Sequence, residues 1–191
     1  MNKEDIKVEV LRNPTIDDWA RCKMLALNTV GKNYTGSEVT ESWKKSILKA
    51  GHSPIRTLMF TIRLEIPYYV SVHFVRHKHG IEHYVTSQRN DRQNKYDREL
   101  APQSAMVTHI VDVNADELIF MANHRLCSQA DITTRYVMSK ICMEVLRFNP
   151  EFKDFLVPMC ERVHECKEFK SCGHYDKIKA IENYPFEDDL K

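Results

Sequence analysis

Glycine is scarce in this chain, five residues in 191, and no Gly-rich phosphate loop is present. A dinucleotide fingerprint needs closely spaced glycines for its turn and for approach of the pyrophosphate, so that mode of nucleotide binding is excluded. No apolar run approaches the roughly 18 residues of a membrane span, and the polar opening Met1-Asn2-Lys3-Glu4-Asp5 leads into no apolar secretion segment. Charge of one sign is lacking too. Lys and Arg number 28 against 27 Asp and Glu, a formal +1, which recommends neither nucleic acid nor a membrane surface. Any anionic ligand must therefore be held by a local cluster. Internal repeats and low-complexity stretches are absent as well, and the expectation is a cytoplasmic globular protein.

What is present is 42% hydrophobic content, enough for one substantial core and one domain over residues 1–191. Residues 7–11 alternate as a short strand, closed by Asn13-Pro14, after which Thr15 caps a helix reaching to about Val30. Ser37 or Thr40 caps a second helix through Trp43, Ile47 and Leu48. The clearest strand covers residues 58–66, with Leu58, Phe60, Ile62, Leu64 and Ile66 on one face and Thr61, Arg63 and Glu65 on the other. Pro67 stops it and starts a helix through Val70 and Phe74 that delivers Arg76, His77 and Lys78.

Residues 79–104 are polar and read as a long loop, of the kind that carries function in compact domains. A second alternating strand follows over 106–113, Asn114 caps a helix through Leu118 and Met121, and a long helix passes Tyr136, Ile141 and Leu146. A last helix from about Glu151 ends near a cysteine-rich segment of about 160–174, and the acidic tail 187–191 is expected to fray. Strands mixed with helices, without regular βαβ alternation, point to α+β, with a mixed sheet.

Arg76-His77-Lys78 sets three cationic or potentially cationic side chains in a row, followed by Thr86-Ser87-Gln88-Arg89. Guanidinium forks bind oxyanions bidentately and hydroxyls add donors, so the set suits a phosphate or pyrophosphate; basic residues at a helix end also complement its dipole. His52-Ser53-Pro54 precedes the clean strand. The helix opening Ala130-Asp131-Ile132-Thr133-Thr134-Arg135 carries a further cation that faces either a cleft or solvent.

The order of these pieces resembles the flavin-dependent thymidylate synthases, whose signature reads Arg-His-Arg, a short gap, Ser-x-Arg-Tyr, and a later Ala-Gln-x-Glu-Ile-Arg. The resemblance spans roughly residues 50–150. It implies the family's α+β fold, assembled as a homotetramer, and methylation of dUMP to dTMP with FAD, methylenetetrahydrofolate and NADPH. By the same resemblance Arg76, His77 and Lys78 lie against the FAD, Ser87 and Arg89 hold the dUMP phosphate, Arg135 faces the uracil ring, and His52 lines the approach of the folate. No protein nucleophile is needed, since the cofactor supplies the hard step.

Several positions depart from that pattern. Lys78 replaces the second arginine and loses the bidentate fork. Ser87 and Arg89 match only with one extra residue after Lys78; without it Thr86 and Gln88 take their places. The Asn-Glu pair before the serine is replaced by residues of His83-Tyr84-Val85-Thr86, Asn90 stands for the tyrosine, and Asp131 and Thr134 stand for glutamine and isoleucine. Such losses imply a changed substrate, another deoxypyrimidine nucleotide, or a nucleotide-binding relative without turnover. Separately, Cys160-x5-Cys166-x5-Cys172, with His164 and His174 interspersed, offers ligands for zinc, although short C-x2-C pairs are lacking; free, partly buried thiols are the alternative.

Overall fold

The computed structural model describes residues 5–92 and 97–182. At its centre are four strands: β1 (Lys7–Arg12), β2 (Met59–Pro67), β3 (Ile81–Val85) and β4 (Met106–Asn114), in the order β1-β2-β4-β3. All three pairings are antiparallel, so the sheet is not mixed as expected. β1 and β2 pair antiparallel even though α1 and α2 lie between them in the chain, and β3 returns to β4 through residues 86–105.

Alternation along the two central strands divides the faces. Phe60, Ile62, Leu64 and Ile66 of β2 and Val107, Val111 and Val113 of β4 are buried, while Arg63 is exposed and Thr61, Glu65 and Asp112 are half-buried on the opposite face. Helices α1 (Ile16–Asn28), α2 (Glu41–Ala50), α4 (Ala115–Arg125) and α5 (Ile132–Phe148) join that apolar face in one core through Trp19, Leu48, Leu118, Met121, Val137, Ile141 and Val145. Each of these four helices starts where a side chain satisfies its orphan amides. Thr15 and Asp18 form a reciprocal capping box on α1, Thr40 rather than Ser37 caps α2, and Asn114 caps α4.

Two segments differ from expectation. Within the anticipated loop 79–104, residues 81–85 form β3, whose brevity and inward-facing His83 conceal its alternation. No helix begins at Glu151. Phe152, Phe155 and Leu156 are buried at helical spacing, but Pro150–Phe152 is a 3-10 turn and the chain then runs irregularly to Pro158. The carbonyls of Phe155 and Val157 accept from the Asn123 side-chain amide instead, at 3.0 and 2.7 Å, which draws them out of helical pairing. Two short helices follow, α6 (Met159–Val163) and α7 (His174–Glu182). The 187–191 tail lies outside the described residues, and among those described no helix is long and apolar enough to cross a membrane.

Candidate functional site

Helix α3 (Tyr68–Phe74) leaves the end of β2 directly and terminates after two turns, so the Arg76-His77-Lys78 triplet emerges beside the ends of α4 and α5. The three side chains then part company. Arg76 and Lys78 are exposed, whereas His77 is 6% exposed and locked in place. Its Nδ1 lies 2.8 Å from Glu117 Oε1, and the Arg125 Nε–H donates to its Nε2 at 3.0 Å. A guanidinium only donates, so Nε2 carries no proton and Nδ1–H faces the carboxylate. Arg125 also donates to the His73 carbonyl at 3.1 Å, closing the end of α3 onto the end of α4.

Burial, and then repulsion from the Arg76 charge, lower the Arg125 pKa below its ordinary value. Glu117 is engaged by His77, and no ion pair neutralises Arg76, Lys78 or Arg125 among the described residues. This corner of the surface therefore carries uncompensated positive charge, which an oxyanion would relieve.

Behind it runs a chain of imidazoles, half-buried at His83 and buried at His109. His83 of β3 reaches the His77 carbonyl through Nε2 at 2.9 Å, its Nδ1 lies 3.0 Å from His109 Nε2, and His109 Nδ1 lies 3.1 Å from the Ser71 hydroxyl of α3. The carbonyl can only accept, which fixes the first proton, and with both rings neutral the others follow. His83 donates from Nε2, His109 donates to His83, and Ser71 donates to His109. Desolvation first, and the neighbouring His83 second, push the His109 pKa down to about 4, so the ring stays neutral. The wire fixes the turn carrying residues 75–78 from below.

The third wall is the start of α5. Asp131 caps it, accepting from the Thr133 and Thr134 amides and from the Thr134 hydroxyl, and Thr133 accepts from the Tyr69 phenol at 2.9 Å, which ties α5 to α3. One turn on, half-exposed Arg135 lines an open groove of about 410 Å3 with Leu126, Tyr136, Ser139 and Pro158. The Arg135 guanidinium has no hydrogen bond or ion pair among the described residues.

The structure thus gathers Arg76, His77 and Lys78 at the ends of α3 and α4, and links α3 to the first turn of α5, which carries Arg135. It does not bring the remaining expected residues to them by any hydrogen bond or ion pair among the described residues. Ser87 and Arg89 are exposed on the loop after β3, where the Ser87 hydroxyl accepts from the Arg89 amide and the guanidinium grips Asp91 in two bonds of 2.9 and 2.7 Å. His52 is exposed at the start of the 3-10 turn Ser53–Thr57.

No protein-family model matches the sequence, and neither does any curated protein. Solved structures do. A UMP/dUMP methylase, PolB from Streptomyces cacaoi, bound with 5-Br dUMP, superposes with a TM-score of 0.60 at 15% identity, covering 80% of this chain and 97% of that one. The same methylase bound with 5-Br UMP gives a TM-score of 0.56 at 15% identity over 80% and 96% of the chains. The fold is shared with a nucleotide methylase. At this identity the likeness is one of fold alone.

Sequence reasoning missed Glu117, Arg125, His83, His109 and Ser71. A signal existed for two of them: His83 and His109 occupy the inward slots of Ile81-x-His83-x-Val85 and Val107-x-His109-x-Val111, where an apolar residue is the rule. Paired inward histidines on neighbouring strands must find hydrogen bonds, and these find each other. For Glu117 and Arg125 the partners lie forty or more residues away, and no local pattern announces them.

Proposed function

We propose that this chain methylates a pyrimidine nucleotide, dUMP in the first instance, at C5 of the ring, using FAD with methylenetetrahydrofolate and NADPH. The observation that carries this reading is the uncompensated cationic corner formed by Arg76, Lys78 and Arg125, on a fold shared with a methylase that binds bromo-dUMP. The balance is that methylenetetrahydrofolate gives up its one-carbon unit, NADPH provides the hydride and solvent the one proton needed to make it a methyl group, and tetrahydrofolate, NADP+ and dTMP leave. When bound, the flavin supplies the relay of that hydride. The residues present fit such a group: two exposed cations flank the turn, and no Gly-rich loop is required.

The protein's own share is positioning and charge. Arg76 and Lys78 would face the flavin pyrophosphate, and His77 would hold their turn through Glu117 and Arg125 rather than touch the cofactor, since it is buried. Arg135, unpaired, would polarise the uracil carbonyl that gains charge as C5 reacts. Arg89 would take the nucleotide phosphate after releasing Asp91; the pair is more than half exposed, and such pairs are worth only about 0–1 kcal/mol, so a phosphate dianion displaces the carboxylate readily. His52 would border the folate. A homotetramer would complete the site, which is consistent with Arg76, Lys78, Ser87 and Arg89 all standing on the surface of a single copy.

The visible spectrum of the protein with added FAD, before and after dUMP, tests this reading. A bound flavin whose bands shift on adding dUMP is the expected result; a flavin that never binds overturns it.

A further inference from the structure

Four of the six cysteines surround one small cavity. Cys160 of α6, Cys166 and Cys172 of the α6–α7 connection, and Cys127 from the turn after α4 line a space of about 20 Å3, room for a single water-sized sphere. The other two, Cys22 and Cys142, are core thiols that burial pushes up to about 12. Cys127 lies more than thirty residues before the next of the four and is joined to them only by the fold.

The segment that carries three of these cysteines has no core of its own. From residue 157 to 179 no described side chain is buried, and Phe169 is wholly exposed, yet the chain makes two helices and a defined connection between them. Apolar burial cannot account for that order, and short segments of this kind are normally stapled by disulfides or by a metal. All four thiols are free. The sulfurs are also close enough that charge on one disfavours charge on the next, among Cys127, Cys160, Cys166 and Cys172, a repulsion that a central cation removes.

Donors are already in place around the sulfurs. Burial holds the Cys127 and Cys160 thiols above their ordinary range against the opposing pull of the Gln129 and Glu161 amides, whereas the Ser128 hydroxyl and the His174 amide bring Cys172 below it. Hydrogen bonds of this kind orient metal-bound thiolates. His174 is itself engaged, its Nε2 lying 2.8 Å from Glu161, which leaves sulfur as the ligand set.

We propose that Cys127, Cys160, Cys166 and Cys172 form a structural four-thiolate site for one zinc ion. As the thiols stand, no group of three or more His, Cys, Asp or Glu side chains among the described residues is arranged to hold an ion, so binding closes the four side chains inward. Zinc is favoured over an iron–sulfur cluster because the space admits one ion. Its role is to fix the turn from Leu126 to Asp131 against α6, and with it the start of α5; this role is independent of the proposed methylation.

The test uses the full chain, purified under reducing conditions and stripped of metal. Titration with Co2+ is expected to develop the intense sulfur-to-cobalt and tetrahedral d–d bands at one equivalent, and one equivalent of Zn2+ to abolish them. Cys127→Ser is expected to weaken cobalt binding by more than about tenfold, whereas Cys22→Ala leaves stoichiometry and spectrum unchanged. Absence of a thiolate–cobalt spectrum in the parent chain overturns the proposal, as does a mass showing native disulfides among these cysteines. If Cys127→Ser fails to fold, the parent spectrum and its one-equivalent end point still decide.

Discussion

His109 is the residue whose titration the fold constrains most. It is 0% exposed, accepts from Ser71 and donates to His83, and its pKa is pushed down to about 4 against an ordinary 6.5. Between those values the unfolded chain binds a proton that the folded chain refuses, so stability is full above about pH 6.5 and falls as pH drops toward 4. The loss from this group between pH 7 and pH 5 is about 2 kcal/mol. Urea midpoints at the two pH values check it, and His109→Gln should be less stable at pH 7 and flatten the dependence by that amount. A second prediction belongs to Arg89. If it serves the nucleotide phosphate, Asp91→Asn frees the guanidinium and tightens dUMP binding by about twofold to fivefold, the equivalent of an exposed ion pair. Arg89→Ala should weaken binding by at least tenfold, and calorimetric titration reads both. Equal affinities across the three proteins would remove Arg89 from the site.

At the scale of elements, the turn joining the Arg76-His77-Lys78 triplet to β3 depends on one glycine. Gly80 has φ +72°, and a Cβ there would sit 2.0 Å from Asn114 Nδ2, the side chain whose Oδ1 caps α4 on the Glu117 amide. Gly80→Ala therefore meets both a strained backbone and a displaced cap, and should cost about 2–4 kcal/mol in denaturant unfolding. Because the cap and the His77 partner reside in the same turn of α4, the variant should also loosen the cationic corner. At α5, Asp131→Ala removes the acceptor for two backbone amides, at about 1–2 kcal/mol. The same helix turn carries Arg135, so nucleotide affinity should fall with it. These elements were legible to different degrees. Thr15, Thr40 and Asn114 announced three helix starts, and the strict alternation of β2 announced its faces and placed each boundary within one residue. Asp131 was seen only as a departure from a motif, although an Asp before Ile-Thr-Thr is an ordinary cap. β3 was hidden because its five residues include a histidine facing inward, and 150–158 was misjudged because Phe152, Phe155 and Leu156 keep helical spacing without a helix.

For the molecule as a whole, three of the four strands and the main helices followed from local patterns, but β3, the all-antiparallel pairing and the pairing of distant residues did not. His77 with Glu117 and Arg125, or Cys127 with Cys160, Cys166 and Cys172, are products of topology, and no spacing rule reaches across such separations. What the sequence carried well was a set of cations in a particular order, and the fold now shared with a UMP/dUMP methylase puts part of that set on one corner. Whether the corner does the chemistry is decided by turnover. The direct measurement is mass spectrometry of the products formed from dUMP, and in parallel from UMP, with FAD, methylenetetrahydrofolate and NADPH. The account predicts dTMP that vanishes when the flavin or the folate is left out and falls at least a hundredfold in Arg135→Ala, the scale of losing a charge-stabilising donor. Unchanged dUMP and UMP after prolonged incubation with flavin-loaded protein would contradict it.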